Sequence, residues 1–361
     1  VPEDGRLLFA GPAVHAYCRG HVAYLPLLTG REMMACDYYG FPPGMVEMDY
    51  PPRRERERPG GLHGFMGWER ALITDSGGFQ AWSLIRQNNK FGSLNDNGIA
   101  FTPEGGQRKF LLTPEKCVQL QVSFVSDVVF CLDDCTHINA SYAEQKLSIE
   151  RTIAWAKIAK QTYLQQLKSR KITESERPLI FGVIQGGAET ELRKQCAEAL
   201  LEIGFDGFGF GGWPLDEESN LITDILELVR SLVPLEFPIH ALGIGHPESI
   251  VTAYKIGYEM FDSALPTRDA RHGRLYRKDG VKLTPNTPPG WLKFTYINTE
   301  TFIRDPNPIE EGCDCPCCQN YSLGYLYHLY KMRDPSYFRL ATMHNLRFMT
   351  RVIADLKDSN V

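Results

Sequence analysis

Pro178-Leu179-Ile180-Phe181-Gly182-Val183-Ile184 runs without a polar interruption into Gln185-Gly186-Gly187. Seven residues with no alternation are too short for a helix of ordinary length and have no exposed face, so they predict a strand buried on both sides. The same pattern recurs outward. On the C-terminal side an Ala- and Glu-rich helix is expected near 189–203, then Gly207-Phe208-Gly209-Phe210 ends on Gly211-Gly212 and a helix follows near 217–233. Ile239-His240-Ala241-Leu242 ends on Gly243-Ile244-Gly245, a helix follows near 247–257, and Met260-Phe261 ends on Asp262. On the N-terminal side residues 71–74 stop at Asp75-Ser76-Gly77-Gly78-Phe79-Gln80, and residues 127–132 stop at Asp133-Asp134-Cys135-Thr136. Between 142 and 167 apolar residues at Ile149, Ile153, Ala156, Tyr163 and Leu167 follow helical spacing.

Six apolar strands, most followed by a helix, predict an α/β fold with a parallel sheet. Their number and the 361-residue length favour a (β/α)8 TIM barrel over a doubly wound sheet, whose glycine-rich dinucleotide turn is missing from the first unit. The strands still needed are expected in the N-terminal region and beyond Asp262. Residues 1–60 are expected to pack on the barrel, 61–300 to form it, and 301–361 to form a zinc-binding subdomain with C-terminal helices. Residues 51–61, mixed in charge and bounded by prolines, read as a solvated loop, with a substrate lid as the alternative.

In a barrel the strand C-termini converge on one mouth, which would bring Asp75, Asp133, Gln185, Gly212, Leu242 and Asp262 to one pocket. Two aspartates, Asp75 and Asp262, suit a glycosidic displacement, one as nucleophile and one as general acid/base. Asp133 and Gln185 suit the hydrogen-bonding edge of a flat heterocycle, the Gly211-Gly212 amides allow close approach, and Phe79 offers a stacking face. Each has a plain structural reading as well: Asp75 and Asp133 can cap the helices that follow, and Phe79 can be core. Asp262 is followed by Arg268, Arg271, Arg274 and Arg277, a local basic cluster fit for an anionic partner or for structural ion pairs.

A formal net charge of −5 excludes a generally basic nucleic-acid coat, so any polyanion must be met by a local patch such as this one. No stretch reaches the roughly 18 apolar residues of a membrane span, and no signal-peptide pattern opens the sequence, which predicts a cytoplasmic protein. Of the 10 cysteines, four crowd into Cys313-Asp314-Cys315-Pro316-Cys317-Cys318. A C-x-C-x-x-C knuckle from Cys313, Cys315 and Cys318, closed by His344 on the next amphipathic stretch, predicts a tetrahedral structural Zn²⁺ site with no open position, Cys317 being the spare thiol.

The strand-end motifs, Leu265-Pro266-Thr267-Arg268 and the cysteine cluster together resemble the tRNA-guanine transglycosylase family over roughly residues 62–350. The resemblance implies a (β/α)8 barrel with a zinc subdomain, a dimer (here expected to be a homodimer), and exchange of guanine at tRNA wobble position 34 for a 7-deazaguanine. It implies that Asp262 attacks C1′ and that Asp75 is the general acid/base. Asp133, Gln185 and the Gly212 amide would read the base, and Phe79 and Leu242 would sandwich it. Ser76, Cys135, Gly211, Leu215, Glu217 and Gly243 would complete the base pocket, with Arg268 and Arg271 on the anticodon nucleotides. After Gly212 the chain reads Trp213-Pro214-Leu215-Asp216-Glu217, where the family usually has a small, glycine-containing loop. A branched Leu215 is expected to favour preQ1, with its small aminomethyl group, over queuine. Other readings are a queuine-salvaging relative, a relative acting on another nucleic acid, a non-catalytic accessory subunit, which should lack the carboxylates, and a barrel glycoside hydrolase, which leaves the arginines and the knuckle unexplained.

Overall fold

A computed structural model of the chain describes residues 8–10, 61–68, 70–87, 90, 92–102 and 109–359. The expected packing of residues 1–60 and the loop at 51–60 lie outside them, apart from one strand. The described residues fall into two compact units that part between Leu242 and Gly243.

In chain order the first unit contains β1 (Leu8–Ala10), α1 (Gly61–Met66), β2 (Leu72–Thr74), α2 (Gly78–Gln87), β3 (Gly92–Asn95), β4 (Gly98–Phe101), β5 (Phe110–Leu112), α3 (Pro114–Ser123) and β6 (Val128–Phe130). It continues through α4 (Tyr142–Arg170), β7 (Leu179–Ile184), α5 (Thr190–Ile203), β8 (Gly207–Phe210), α6 (Thr223–Leu232) and β9 (Ile239–Ala241). β1, β2, β6, β7, β8 and β9 lie side by side in that order, all parallel, with Ile73 opposite Val128, Val129 opposite Ile180, Phe181 opposite Gly207 and Phe208 opposite Ile239. A doubly wound sheet reverses its strand order at a switch point. This order only advances, as it does around a (β/α)8 barrel. The strand expected in the N-terminal region is β1.

Every residue of β2, β6, β8 and β9 is buried. With both faces covered, alternation has no function, which is why these strands read as continuous apolar runs. Phe130 meets Phe181 edge-on at 5.3 Å, and Phe208 meets Phe237 at 5.6 Å. The longest helix, α4, begins with a capping box: the Ser141 hydroxyl accepts from the Glu144 amide and the Glu144 carboxylate accepts from the Ser141 amide. It ends three residues later than its apolar spacing predicts, on Lys171 in the left-handed conformation.

Two differences from the expected elements are physical. The helix expected near 217–233 starts only at Thr223, because Leu215 bridges Leu221 and the Asp216 carboxylate accepts the Asn220 amide at 2.7 Å, closing a turn that competes with helix. The antiparallel sheet β3-β4-β5 was not expected at all. Its strands are three or four residues long and two begin on glycine, leaving too little alternation to recognise.

The second unit holds α7 (Pro247–Ile256), β10 (Met260–Phe261), α8 (Leu265–Arg271), β11 (Arg274–Arg277), β12 (Lys293–Tyr296), α9 (Pro316–Asn320), α10 (Leu323–Lys331) and α11 (Pro335–Asp358). Beyond Asp262 the described residues supply no further parallel strand. They form the antiparallel ribbon β11-β12 instead. A core of Ala270, Leu275, Ile297, Ile309, Leu323, Leu326, Tyr337 and Ala341 includes all four clustered cysteines. Buried Asn345 on α11 donates to the carbonyls of Pro266 and Arg274 and accepts from the Tyr276 amide, each at 3.0 Å, so one side chain fixes α8 and β11 on the long helix.

Candidate active site and metal centre

In the first unit the polar residues that end the strands meet. Asp75 follows β2 and its carboxylate accepts the Ser76 amide at 2.7 Å. The Ser76 hydroxyl is 3.3 Å from one oxygen of Asp133 and accepts the Gly78 amide, while Gln185 donates to the other Asp133 oxygen at 2.7 Å. Gly78 must be glycine: a Cβ there would stand 2.8 Å from the Asp133 carbonyl and 2.9 Å from its carboxylate. Burial pushes the Asp133 carboxyl up to about 7. The Gln185 and Ser76 hydrogen bonds oppose the shift, and the charges of Asp75 and Asp134 add to it.

Gln185 is fully buried, and its carboxamide oxygen has no hydrogen-bond partner among the described residues. An orphaned buried acceptor is costly unless a ligand supplies the donor. Beside it, Gly212 takes φ +90°, and Gly211 is required because a Cβ would stand 2.6 Å from the Gln185 amide nitrogen. Cys135 is buried in the same group, its thiol pushed up by burial and by the charges of Asp133 and Asp134. The group can hold a flat molecule that offers both donors and acceptors along one edge.

Several residues that the sequence did not single out hold this arrangement. Gln121 accepts from the Phe130 amide at 2.8 Å, donates to the Phe130 carbonyl at 2.7 Å and accepts from Thr74 at 3.0 Å, joining β6 to β2. The turn at 133–137 is pinned to α4 by Thr152 on the Asp134 amide, Ser148 on the Asp134 carbonyl, Gln145 on Thr136 and Arg151 on the Asp134 carboxylate. Arg193, wholly buried on the first turn of α5, reaches the carbonyls of Ile184, Gly187 and Gly211. The α4 contacts and Arg193 are invisible in sequence because helical polar residues ordinarily face water.

Phe79 is half-buried and stacks on Trp213, centroids 6.1 Å apart at 18°, with Trp82 at 5.6 Å. Leu242 follows β9 and lies over Gly209 of β8. Leu215 is half-buried, whereas Glu217 is exposed and accepts from Asn139 at 2.6 Å.

In the second unit the Gly243 amide donates to the Asp262 carboxylate at 2.9 Å. The arginine cluster divides. Arg274 forms an ion pair with Asp269 at 2.6 Å and lies over the Phe294 ring, and Arg277 pairs with Asp279 at 3.4 Å. Arg268 is exposed on α8 and Arg271 is partly so. Arg274 and Arg277 are thus engaged within the fold, as the structural ion-pair reading allows.

Cys313, Cys315, Cys318 and His344 are buried with their ligand atoms all within 4.8 Å of one another. His344 Nδ1 is 3.8, 3.6 and 3.3 Å from the three sulfurs. A tetrahedron with zinc–sulfur and zinc–nitrogen bonds of ordinary length has a sulfur–nitrogen edge of about 3.6 Å. His344 Nε2 donates to the Tyr276 carbonyl at 2.7 Å, which leaves the Nδ1 lone pair facing the sulfurs. Arg347 holds Asp314 inside the knuckle through two bonds of 2.6 Å, and Arg351 holds Glu310 just before it. The group can hold a metal ion and leaves no ligand position for a substrate.

Carboxylates beside a donor–acceptor edge at the ends of parallel strands suit an enzyme that exchanges a base on a sugar, the chemistry of the pentosyltransferases. A family model described as Queuine tRNA-ribosyltransferase matches residues 24–359. The chain is 35% identical to the queuine tRNA-ribosyltransferase of Caldanaerobacter subterraneus subsp. tengcongensis over 86% of its own length and 76% of that protein. It is 36% identical to that of Psychrobacter sp. over 83% and 73%, and 36% identical to that of Idiomarina loihiensis over 84% and 74%. The chain belongs to the queuine tRNA-ribosyltransferase family, the tRNA-guanine transglycosylases.

Proposed function

We propose that this enzyme exchanges guanine at the tRNA wobble position 34 for a 7-deazaguanine, with preQ1 favoured, through a covalent glycosyl-enzyme. An Asp262 oxygen attacks C1′ of the guanosine ribose, and the bond from C1′ to guanine breaks with its electron pair leaving on the base. Asp75 delivers a proton to that base. The incoming 7-deazaguanine then gives a proton to Asp75, bonds to C1′ and expels Asp262, two inversions that restore the starting configuration.

The observation that carries the base-exchange reading is the orphaned oxygen of Gln185 beside the Asp133 carboxylate and the Gly212 amide. Two acceptors and one donor along an edge complement the amino, ring N–H and carbonyl groups of guanine and of 7-deazaguanines alike. Phe79 and Leu242 take the ring faces, Ser76, Gly211 and Gly243 shape the walls, and Arg268 and Arg271 meet the anticodon phosphates, which an exposed loop presents more readily than a duplex does.

Preference for preQ1 is supported by the half-buried Leu215, whose backbone is fixed by its bridge to Leu221, and by Cys135 in the pocket. Glu217 shares its charge with Asn139 and retains a carboxylate oxygen for the preQ1 ammonium. Cys313, Cys315, Cys318 and His344 hold a structural zinc that orders the knuckle and the start of α9. Among the described residues no helix is long and apolar enough to cross a membrane, and the reading places the enzyme in the cytoplasm as a homodimer.

The test is exchange of labelled guanine into bulk tRNA, followed by competition with preQ1, preQ0 and queuine. Guanine exchange with preQ1 as the strongest competitor is the expected result. No incorporation into tRNA, or sugar release from oligosaccharides in its place, overturns the function; queuine outcompeting preQ1 overturns the base assignment alone.

A further inference from the structure

We propose that Arg193 is a positioning residue that sets the two base-reading turns in register, an inference that rests on the base-exchange reading above. The side chain is wholly buried on α5, and its guanidinium lies 4.5 Å from the centroid of the Phe210 ring. Nη1 donates to the Ile184 carbonyl at 2.5 Å and to the Gly211 carbonyl at 3.0 Å, and Nε donates to the Gly187 carbonyl at 2.9 Å.

Those three carbonyls bracket the residues that face the base. Ile184 precedes Gln185, Gly187 follows it by two, and Gly211 precedes Gly212. The turns that carry them adopt conformations that side chains resist, with φ of +135° at Gly186, +56° at Gly187 and +90° at Gly212. Glycine turns of this kind have many alternative conformations, and the β7–β8 ladder reaches only as far as the Gly211 amide on the Ile184 carbonyl at 2.9 Å, with Gly187 and Gly212 lying past that bond. A planar guanidinium that donates to both turns at once removes that freedom. The carbonyls it draws inward leave Gln185 and the Gly212 amide directed at the base.

Lysine keeps the charge but offers one compact ammonium in place of a rigid fork, so it cannot satisfy carbonyls on both turns in the same geometry. The test is guanine exchange by Arg193→Lys and Arg193→Ala, with KM measured separately for free guanine and for tRNA. Expected for Arg193→Lys is a KM for guanine raised on the order of tenfold to a hundredfold, with KM for tRNA and kcat nearly unchanged. Millimolar guanidinium, but not methylammonium, should lower the KM for guanine in Arg193→Ala.

Amide hydrogen exchange gives a readout independent of activity. Residues 185–187 and 211–212 should lose protection in Arg193→Lys while the β7 and β8 amides keep theirs. A folded Arg193→Lys with wild-type KM for guanine overturns the proposal. So does a uniform loss of protection, or a fall in all kinetic constants in step with the folded fraction and no response to guanidinium. Should the wild type exchange no guanine, the functional reading fails, and the hydrogen-exchange pattern still decides whether Arg193 sets the turns.

Discussion

Replacing Asp133 with asparagine should stabilise the free enzyme at neutral pH while abolishing its use of the base. The Asp133 carboxyl rises from an ordinary 3.8 to about 7 on folding, chiefly because it is buried. Between those values the folded chain holds a proton that the unfolded chain has released, so stability falls as pH rises through this window. Below about pH 4 both states are protonated and nothing is lost. Above about pH 7 the full difference of roughly three units applies, on the order of 4 kcal/mol at 1.36 kcal/mol per unit. Asparagine carries no charge, still accepts the Gln185 donor bond through its oxygen, and escapes that penalty. Urea denaturation of both proteins from pH 4 to 8 should therefore give curves that coincide at the acid end and part above pH 5, with Asp133→Asn the more stable. Base donors favour the ionised form, so binding of guanine or preQ1 by the wild type should expel a proton near neutrality and tighten as pH rises toward 8. A wild type that gains stability relative to Asp133→Asn between pH 5 and 8 would refute the burial argument.

The knuckle should carry one tightly held zinc per chain, and Cys315→Ala should lose it together with several kcal/mol of stability, measured by elemental analysis and thermal unfolding; activity surviving that substitution with unchanged Tm counts against a structural metal. Asp262→Asn should bind tRNA yet trap no denaturation-resistant RNA adduct; an adduct that persists there and vanishes in Asp75→Asn means that the two roles are reversed. Leu215→Gly should improve kcat/KM for queuine selectively, by about ten- to a hundredfold, since the four carbons removed correspond to overpacking of about 1–3 kcal/mol. Equal gains for preQ1 and queuine would remove the steric basis for the preference.

The parallel barrel strands were legible because burial on both faces leaves a strand no polar residues until it ends. The runs at 178–184, 207–210 and 239–242 therefore announced both their own extent and the polar or glycine residues just beyond them. The zinc-type cluster was legible for a different reason: three ligands lie within six positions, and a short chain segment cannot avoid bringing them together. His344 lies 26 residues beyond Cys318, and it is the fold that brings its Nδ1 within 3.8 Å of all three sulfurs.

What only the tertiary structure decided concerns groups whose partners are distant in sequence. Arg193 looks like a solvated helical arginine until its three carbonyl partners on two other strand ends are seen. Arg274, grouped in sequence with Arg268, proves to be occupied by Asp269. The turn at 215–221 displaces the start of α6 because a local carboxylate-to-amide bond outcompetes an apolar pattern that helix and turn share. The pKa of Asp133 belongs to this class too. Its residue type and position at a strand end were readable from the chain, but the burial that moves the carboxyl to about 7, the charge of Asp75 that adds to it and the Ser76 and Gln185 hydrogen bonds that oppose it are brought together only by folding.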